Sequence, residues 1–307
     1  MNIKGCIFIL SAAVMWGLIG PISKFPIEQG INPLENAFWR AIFAWMLFAV
    51  HACRIGQIKI AVKDLPQIIG FGIVGITIFY GSYQLAVQDA GAALASVLLY
   101  TAPAWVAVMS WLLLGERMGP LKITALVITI TGVACVSLGP QILGTGKEMN
   151  FTWFGIVCGL TSGFTYALYY IYGKTLFARY TTPTIFLYAL PIGAICLTPF
   201  FEFTHKTPIS WGSLIALALI CTYGAYSVYY AGLKYLEATA ASVIATIEPV
   251  IAAILAWLWW NESFDWTGYL GSALIISSVL MIVMEKRIEL FISSYKLSKT
   301  EKVSDNI

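Results

Sequence analysis

Residues 238–262, ATAASVIATIEPVIAAILAWLWWNE, form one long apolar run that ends on Glu262 and carries one carboxylate in its interior, Glu248 near its middle, with Pro249 directly after it. About twenty apolar residues rising 1.5 Å each are enough to cross the roughly 30 Å hydrocarbon core of a bilayer. A carboxylate at that depth costs roughly 2.5–3.5 kcal/mol to insert, which favours a position facing protein or a wet cavity. Proline withholds a backbone donor and disturbs the turn before it. The run therefore reads as a spanning helix with a polar break.

The same run has a counterpart 146 residues earlier, AALASVLLYTAPAWVAVMSWLLLGE, and nine of the 25 ungapped pairs are identical. Ala95, Ser96, Val97, Pro103, Trp111 and Glu116 match Ala241, Ser242, Val243, Pro249, Trp257 and Glu262. The register extends upstream: Tyr80 and Tyr83 meet Tyr226 and Tyr229, and Gly17 meets Gly163. Self-similarity at a long fixed spacing marks a duplicated unit. In membrane proteins, interrupted helices at matching positions of two halves point to a transport site.

Of the 307 residues, 59% are hydrophobic and 11% charged, with mean hydropathy +0.82. A soluble domain carries about 25% charged residues. The expected fold class is an all-α polytopic membrane protein with ten transmembrane helices. The apolar segments fall at about 5–24, 34–53, 66–87, 92–114, 120–139, 152–175, 182–201, 212–233, 238–260 and 266–285. Only QDAG parts the third from the fourth, and only KYLE the eighth from the ninth. Such short turns make antiparallel neighbours. The expected units are a first repeat at 5–139, an external connector at 140–150, a second repeat at 151–285 and a charged cytoplasmic tail at 286–307.

With the N-terminus in the cytoplasm, 14 of the 18 basic residues fall inside, so both termini are expected there. Five segments per unit is an odd number, so the two copies have opposite orientation and form an inverted repeat. The six cysteines form no CxxC pair and read as small packing residues. No HExxH, P-loop or GxSxG motif occurs, which disfavours an enzyme. Neither a metal site nor a cofactor is expected. The net charge of +3 says nothing about nucleic acid, and no nucleic-acid partner is expected. The expected partners are membrane lipid and a small-molecule substrate, and a homodimer is left open.

Glu248 is the first candidate for substrate binding or coupling. A desolvated carboxyl can hold a proton when unpaired and give it up when a cation arrives; the alternative is a hydrogen bond that locks the bundle. Its repeat partner is Ala102, so symmetric packing does not account for it. Arg40 can meet a substrate carboxylate, snorkel to the interface, or pair with Glu35. Tyr223, Tyr226 and Tyr230 share one helical face, and Thr77, Tyr80 and Gln84 occupy the same positions in the first repeat. Tyr166 stands beside Thr165 and Tyr169 in segment six, and Trp16 lies deep in segment one. Tyr80, Gln84, Tyr226, Tyr230, Tyr166 and Trp16 are the candidate cavity residues, weighed against interhelical packing. Pro103 and Pro249 are the candidate helix breaks. Glu116 and Glu262 read as interfacial carboxylates bonded to nearby amides or basic groups.

The chain resembles tandem EamA domains of the drug/metabolite transporter superfamily. The resemblance rests on MWG in segment one, NP followed by WRAIF leading into segment two, and Pro103 with LLLGE in segment four. ASVIATIEPV and WWNE repeat the pattern, with Asn261 in place of the usual glycine. It covers roughly residues 5–285. It implies export of amino acids or related small metabolites across a prokaryotic inner membrane. A secondary transporter working by alternating access, driven by a substrate gradient or by proton antiport, is the expectation, and a non-transporting sensor or scaffold is the alternative.

Overall fold

The computed structural model describes residues 2–143, 152–260 and 265–284. Most of the connector, Asn261, Glu262 and the tail 286–307 lie outside the described residues. The first crossing is α1 (Ile3–Gly17) with α2 (Ile19–Glu28), and the second is α3 (Pro33–Arg54). The third comprises a 3-10 turn (Val62–Asp64), α4 (Leu65–Gly72), a π-helical stretch (Ile73–Ile78) and the start of α5 (Phe79–Leu99). The fourth takes the rest of α5, then α6 (Ala102–Met109) and a π-helical stretch (Ser110–Leu114). The fifth is α7 (Pro120–Ile142).

The second repeat follows the same plan. Its crossings are α8 (Trp153–Thr175), then α9 (Thr182–Leu197) ending in a 3-10 turn (Thr198–Phe200). Next come α10 (Pro208–Ala216), a π-helical stretch (Leu217–Gly224) and α11 (Ala225–Leu233), which together form the eighth. α12 (Ala238–Ala245) with α13 (Glu248–Trp260) is the ninth, and α14 (Trp266–Val283) is the tenth. Shifted by 146, the stretch at 73–78 falls on 219–224, inside the π-helical stretch of the eighth crossing.

α5 runs down and back. With the π-helical stretch before it, its early part is antiparallel to α8: Tyr169 is bonded to Gly75 of that stretch, and Gly155 lies against Ala90. Leu98 then lies against Gly159 and Gly163, back along α8, so the chain reverses between Ala90 and Leu98. The reversal falls at the expected short turn.

Three crossings are broken, and proline fixes the place each time. α1 ends at Gly17, α5 at Leu99 and α12 at Ala245. Each lies four residues before a proline, Pro21, Pro103 or Pro249, which cannot donate to that carbonyl. Pro191 sits inside α9 without ending it: the carbonyl of Leu187, four residues before, accepts the indole N–H of Trp45 at 2.9 Å. Polar caps start other helices. Asn32 accepts the Leu34 amide at 2.8 Å, and Thr152 accepts that of Gly155 at 3.0 Å.

Among the described residues, nine helical stretches are long and apolar enough to cross a membrane. The expected tenth, α3, has 22 residues but falls short in hydropathy because it carries Glu35, Arg40, His51 and Arg54. It packs between α9 and the π-helical stretch of the eighth crossing, so its polar groups can turn toward protein.

Candidate functional site

The two proline breaks face each other. Tyr100 caps the end of α5 in the first repeat, and Glu248 opens α13 in the second. Tyr100 and Glu248 lie within electrostatic reach of each other. Val250 and Ile247 pack around Tyr100 with Val133 and Ile275. Glu248 is half-buried at the middle of the ninth crossing, so it borders internal space. Tyr83, Tyr166, Tyr170 and Tyr226 all lie within electrostatic reach of it.

Arg40 closes the other side. It is 8% exposed, and its guanidinium carbon sits 4.7 Å from the centroid of the Tyr80 ring. It makes no hydrogen bond or ion pair within 4.0 Å to any described residue, although its charge is felt at Glu248. Of the three readings of Arg40, the pairing with Glu35 does not form. Glu35 is instead bonded to Lys206, to the hydroxyl and amide of Thr204, and to the indole of Trp39. Thus Arg40 and Glu248, opposite charges from opposite repeats, both act on Tyr226 in one aromatic chamber without an ion pair between them.

The other candidate residues divide into two groups. Tyr80, Gln84 and Tyr166 are half-buried; Tyr80 lies under the Arg40 guanidinium, and Tyr166 stacks on Phe79 at 5.4 Å within electrostatic reach of Glu248. Trp16, Tyr226 and Tyr230 are buried behind the wall. Trp16 packs on Tyr226 and Tyr229 at 5.7 and 5.2 Å. Tyr226 stacks between Tyr169 (5.6 Å) and Phe186 (4.9 Å), and Tyr230 lies flat on Phe177 at 3.6 Å. These rings make a continuous layer between the chamber and the Lys- and Arg-rich end. Tyr100, Phe177 and Phe186 were not singled out by the sequence pattern. Only the position of Tyr100, just ahead of Pro103, carried a signal.

Both ends of the bundle are tied by polar contacts. At one end the Glu35–Lys206 pair is almost fully buried. At the other, Glu116 accepts the amides of Ala238 and Thr239 at 2.6 and 3.2 Å and the Thr239 hydroxyl at 2.8 Å. Lys122 bonds Glu237, and Arg179 bonds Asp64 at 2.7 Å. Asp64 and Ser210 are equivalent in the repeat register. Asp64 holds the turn between the sixth and seventh crossings through Arg179 and Tyr180, while Ser210 bonds Gln29, between the first and second. Among the described residues no group of three His, Cys, Asp or Glu could hold a metal ion.

The profile of the EamA-like transporter family matches residues 3–138 and 153–284. The chain belongs to the EamA-like transporter family. Among its relatives is an uncharacterized inner membrane transporter, YicL, of Salmonella typhimurium, 27% identical over 298 residues that cover 92% of this chain and 96% of YicL. An uncharacterized transporter of Archaeoglobus fulgidus is 28% identical over 274 residues, covering 89% of this chain and 93% of the relative. A solved crystal structure superposes with TM-score 0.77 at 18% identity, covering 94% of this chain and all of the other, which supports the fold alone. This EamA-like protein is therefore a multi-pass membrane transporter built from two repeats, with its opposite charges drawn from opposite repeats.

Proposed function

We propose that this protein is a secondary active transporter for small zwitterionic metabolites, amino acids among them, and that it exports them across the cytoplasmic membrane by alternating access. The observation that carries the reading is the pair Arg40 and Glu248: opposite charges in one tyrosine-lined chamber with no ion pair between them. A buried charge without a counter-ion is costly. A solute bearing a carboxylate and an ammonium offsets both costs at once. Tyrosine rings supply flat apolar contact and hydroxyls for the rest of such a solute. In this reading both termini are cytoplasmic, and Glu248 exchanges a proton for the substrate ammonium, which couples efflux to proton entry.

The test is counterflow of a pooled metabolite set by the purified protein in liposomes at two internal pH values. Flux of one compound class is expected, dependent on the pH gradient. Glu248→Gln should abolish the pH dependence, and Arg40→Gln should raise the half-saturating concentration of carboxylate substrates at least tenfold. Unchanged flux in both variants would sink the site. No flux of any compound from folded protein would favour a sensor.

A further inference from the structure

We infer that the Lys- and Arg-rich end of the bundle holds an anion-selecting vestibule that gathers carboxylate-bearing solutes. A cavity of 510 Å³ lies there, between residues 56–59, residues 177–181 and Lys234. Its wall includes Lys59, Arg179 and Lys234 and no carboxylate. Arg179 is engaged by Asp64 at 2.7 Å and by Gln67 at 2.9 Å, so it adds little net field. Lys59 and Lys234 form no ion pair with a described residue. Behind Lys234, the Lys174 ammonium bonds the carbonyls of Leu233 and Leu236, which adds a third cation without a bonded carboxylate. The carboxylates that act on Lys174 are Glu116, engaged by the α12 amides, and Glu237, engaged by Lys122. A cleft of one sign bounded by low-dielectric walls concentrates the field within it.

The cavity is also placed to matter. Phe177 lines it and stacks on Tyr230 at 3.6 Å. Tyr230 adjoins Tyr226 at 6.1 Å, and Tyr226 lies within electrostatic reach of both Arg40 and Glu248. A thin aromatic layer thus separates the cavity from the chamber. The vestibule's use as an entry rests on the transport reading above; its charge selectivity does not. The plain alternative is that these lysines only follow the positive bias that orients membrane proteins. That alternative predicts the same preference at an exposed cysteine of this end outside the cavity.

The test uses the full chain with its six cysteines replaced by serine and one cysteine placed at Ala178, an exposed residue of the cavity wall. The probes are anionic sulfonatoethyl and cationic trimethylammonioethyl methanethiosulfonate, with rates normalised to the same reagents on Val62→Cys, 84% exposed at the same end and outside the cavity wall. The anion should react about tenfold faster than the cation at low salt, the low end of charged-cleft effects. The ratio should fall toward one in the Lys59→Gln/Lys234→Gln variant and in about 1 M salt, where the screening length is about 3 Å. Equal rates in the parent, or a preference that survives the double substitution, would overturn the vestibule. Because labelling requires no transport, a failed flux assay leaves this result standing, and the reverse holds too.

Discussion

Gly132 of α7 and Gly271 of α14 meet backbone to backbone: a Cβ on Gly271 would stand 2.4 Å from the Gly132 carbonyl oxygen, and one on Gly132 would stand 2.8 Å from that of Gly271. The fifth and tenth crossings are thereby joined across the two repeats, with the Thr129 hydroxyl donating to Ser278 at 2.8 Å nearby. Lipid offers no hydrophobic drive for helices to associate, so close contact of small residues supplies it. Gly271→Ala meets backbone atoms that cannot rotate away, including the Val136 amide at 2.7 Å. It should destabilise the protein by about 1–3 kcal/mol, the range for overpacking. Gly212→Ala, with nothing within 4 Å of the new Cβ, is the control and should be neutral or mildly stabilising. Thermal unfolding in detergent compares the two, and equal effects would reject the close-contact argument.

The Glu35–Lys206 pair makes a second prediction. The two side chains are 0% and 4% exposed, and the ammonium also sits 5.3 Å from the Trp39 ring and 5.4 Å from that of Trp211. Lys206→Met leaves a buried carboxylate without its cation and should cost about 3–5 kcal/mol. Glu35→Gln/Lys206→Met keeps an acceptor for Thr204 and removes both charges, so it should cost less than Lys206→Met alone. A double-mutant cycle on stability measures the difference. A double variant worse than the single one would show that the aromatic contacts, and not the charge, hold this end.

The spans and their duplication were legible because bilayer thickness and proline chemistry act on local sequence. Leu99 and Ala245 end their helices four residues before the expected breaks Pro103 and Pro249, and Gly17 does the same before Pro21, which was not singled out. The π-helical stretches at 73–78 and 217–224 were not legible: a slipped hydrogen bond leaves no compositional trace. Glu35 and Arg40 are five apart, which places them about 140° apart around a helix, and Lys206 from a distant loop takes the carboxylate instead. The shared face of Tyr226 and Tyr230 was visible in their spacing, but what covers that face comes from Phe186 on α9 and Phe177 after α8. Periodicity gives a direction on a helix and says nothing about the neighbour that arrives there.

Tyr169 connects these features and supports a third prediction. Its hydroxyl donates to the Gly75 carbonyl, inside the first π-helical stretch, while its ring stacks on Tyr226. Tyr169→Phe keeps the ring and removes the donor, leaving a buried carbonyl unpaired at a cost of about 1–3 kcal/mol. Hydrogen exchange should rise at residues 73–79 while α8 stays protected. Uniformly faster exchange would mean global destabilisation, and no change would mean that water replaces the hydroxyl.

The Glu116 carboxylate ties the end of the fourth crossing to the start of the ninth by accepting two amides and one hydroxyl. It does for α12 what an N-terminal capping side chain does, except that it comes from 122 residues away. α12 leads into the break that presents Glu248, so its anchoring sets where that carboxylate stands. Glu116→Ala should cost about 1–2 kcal/mol, the upper half of the capping range. Glu116→Gln keeps one acceptor oxygen and should cost less. Thr239→Val removes only the hydroxyl contact and should cost least. Hydrogen exchange over residues 238–245 should follow the same order. If Thr239→Val matched Glu116→Ala, the backbone amides would not be the groups that matter, and the anchor would be the threonine alone.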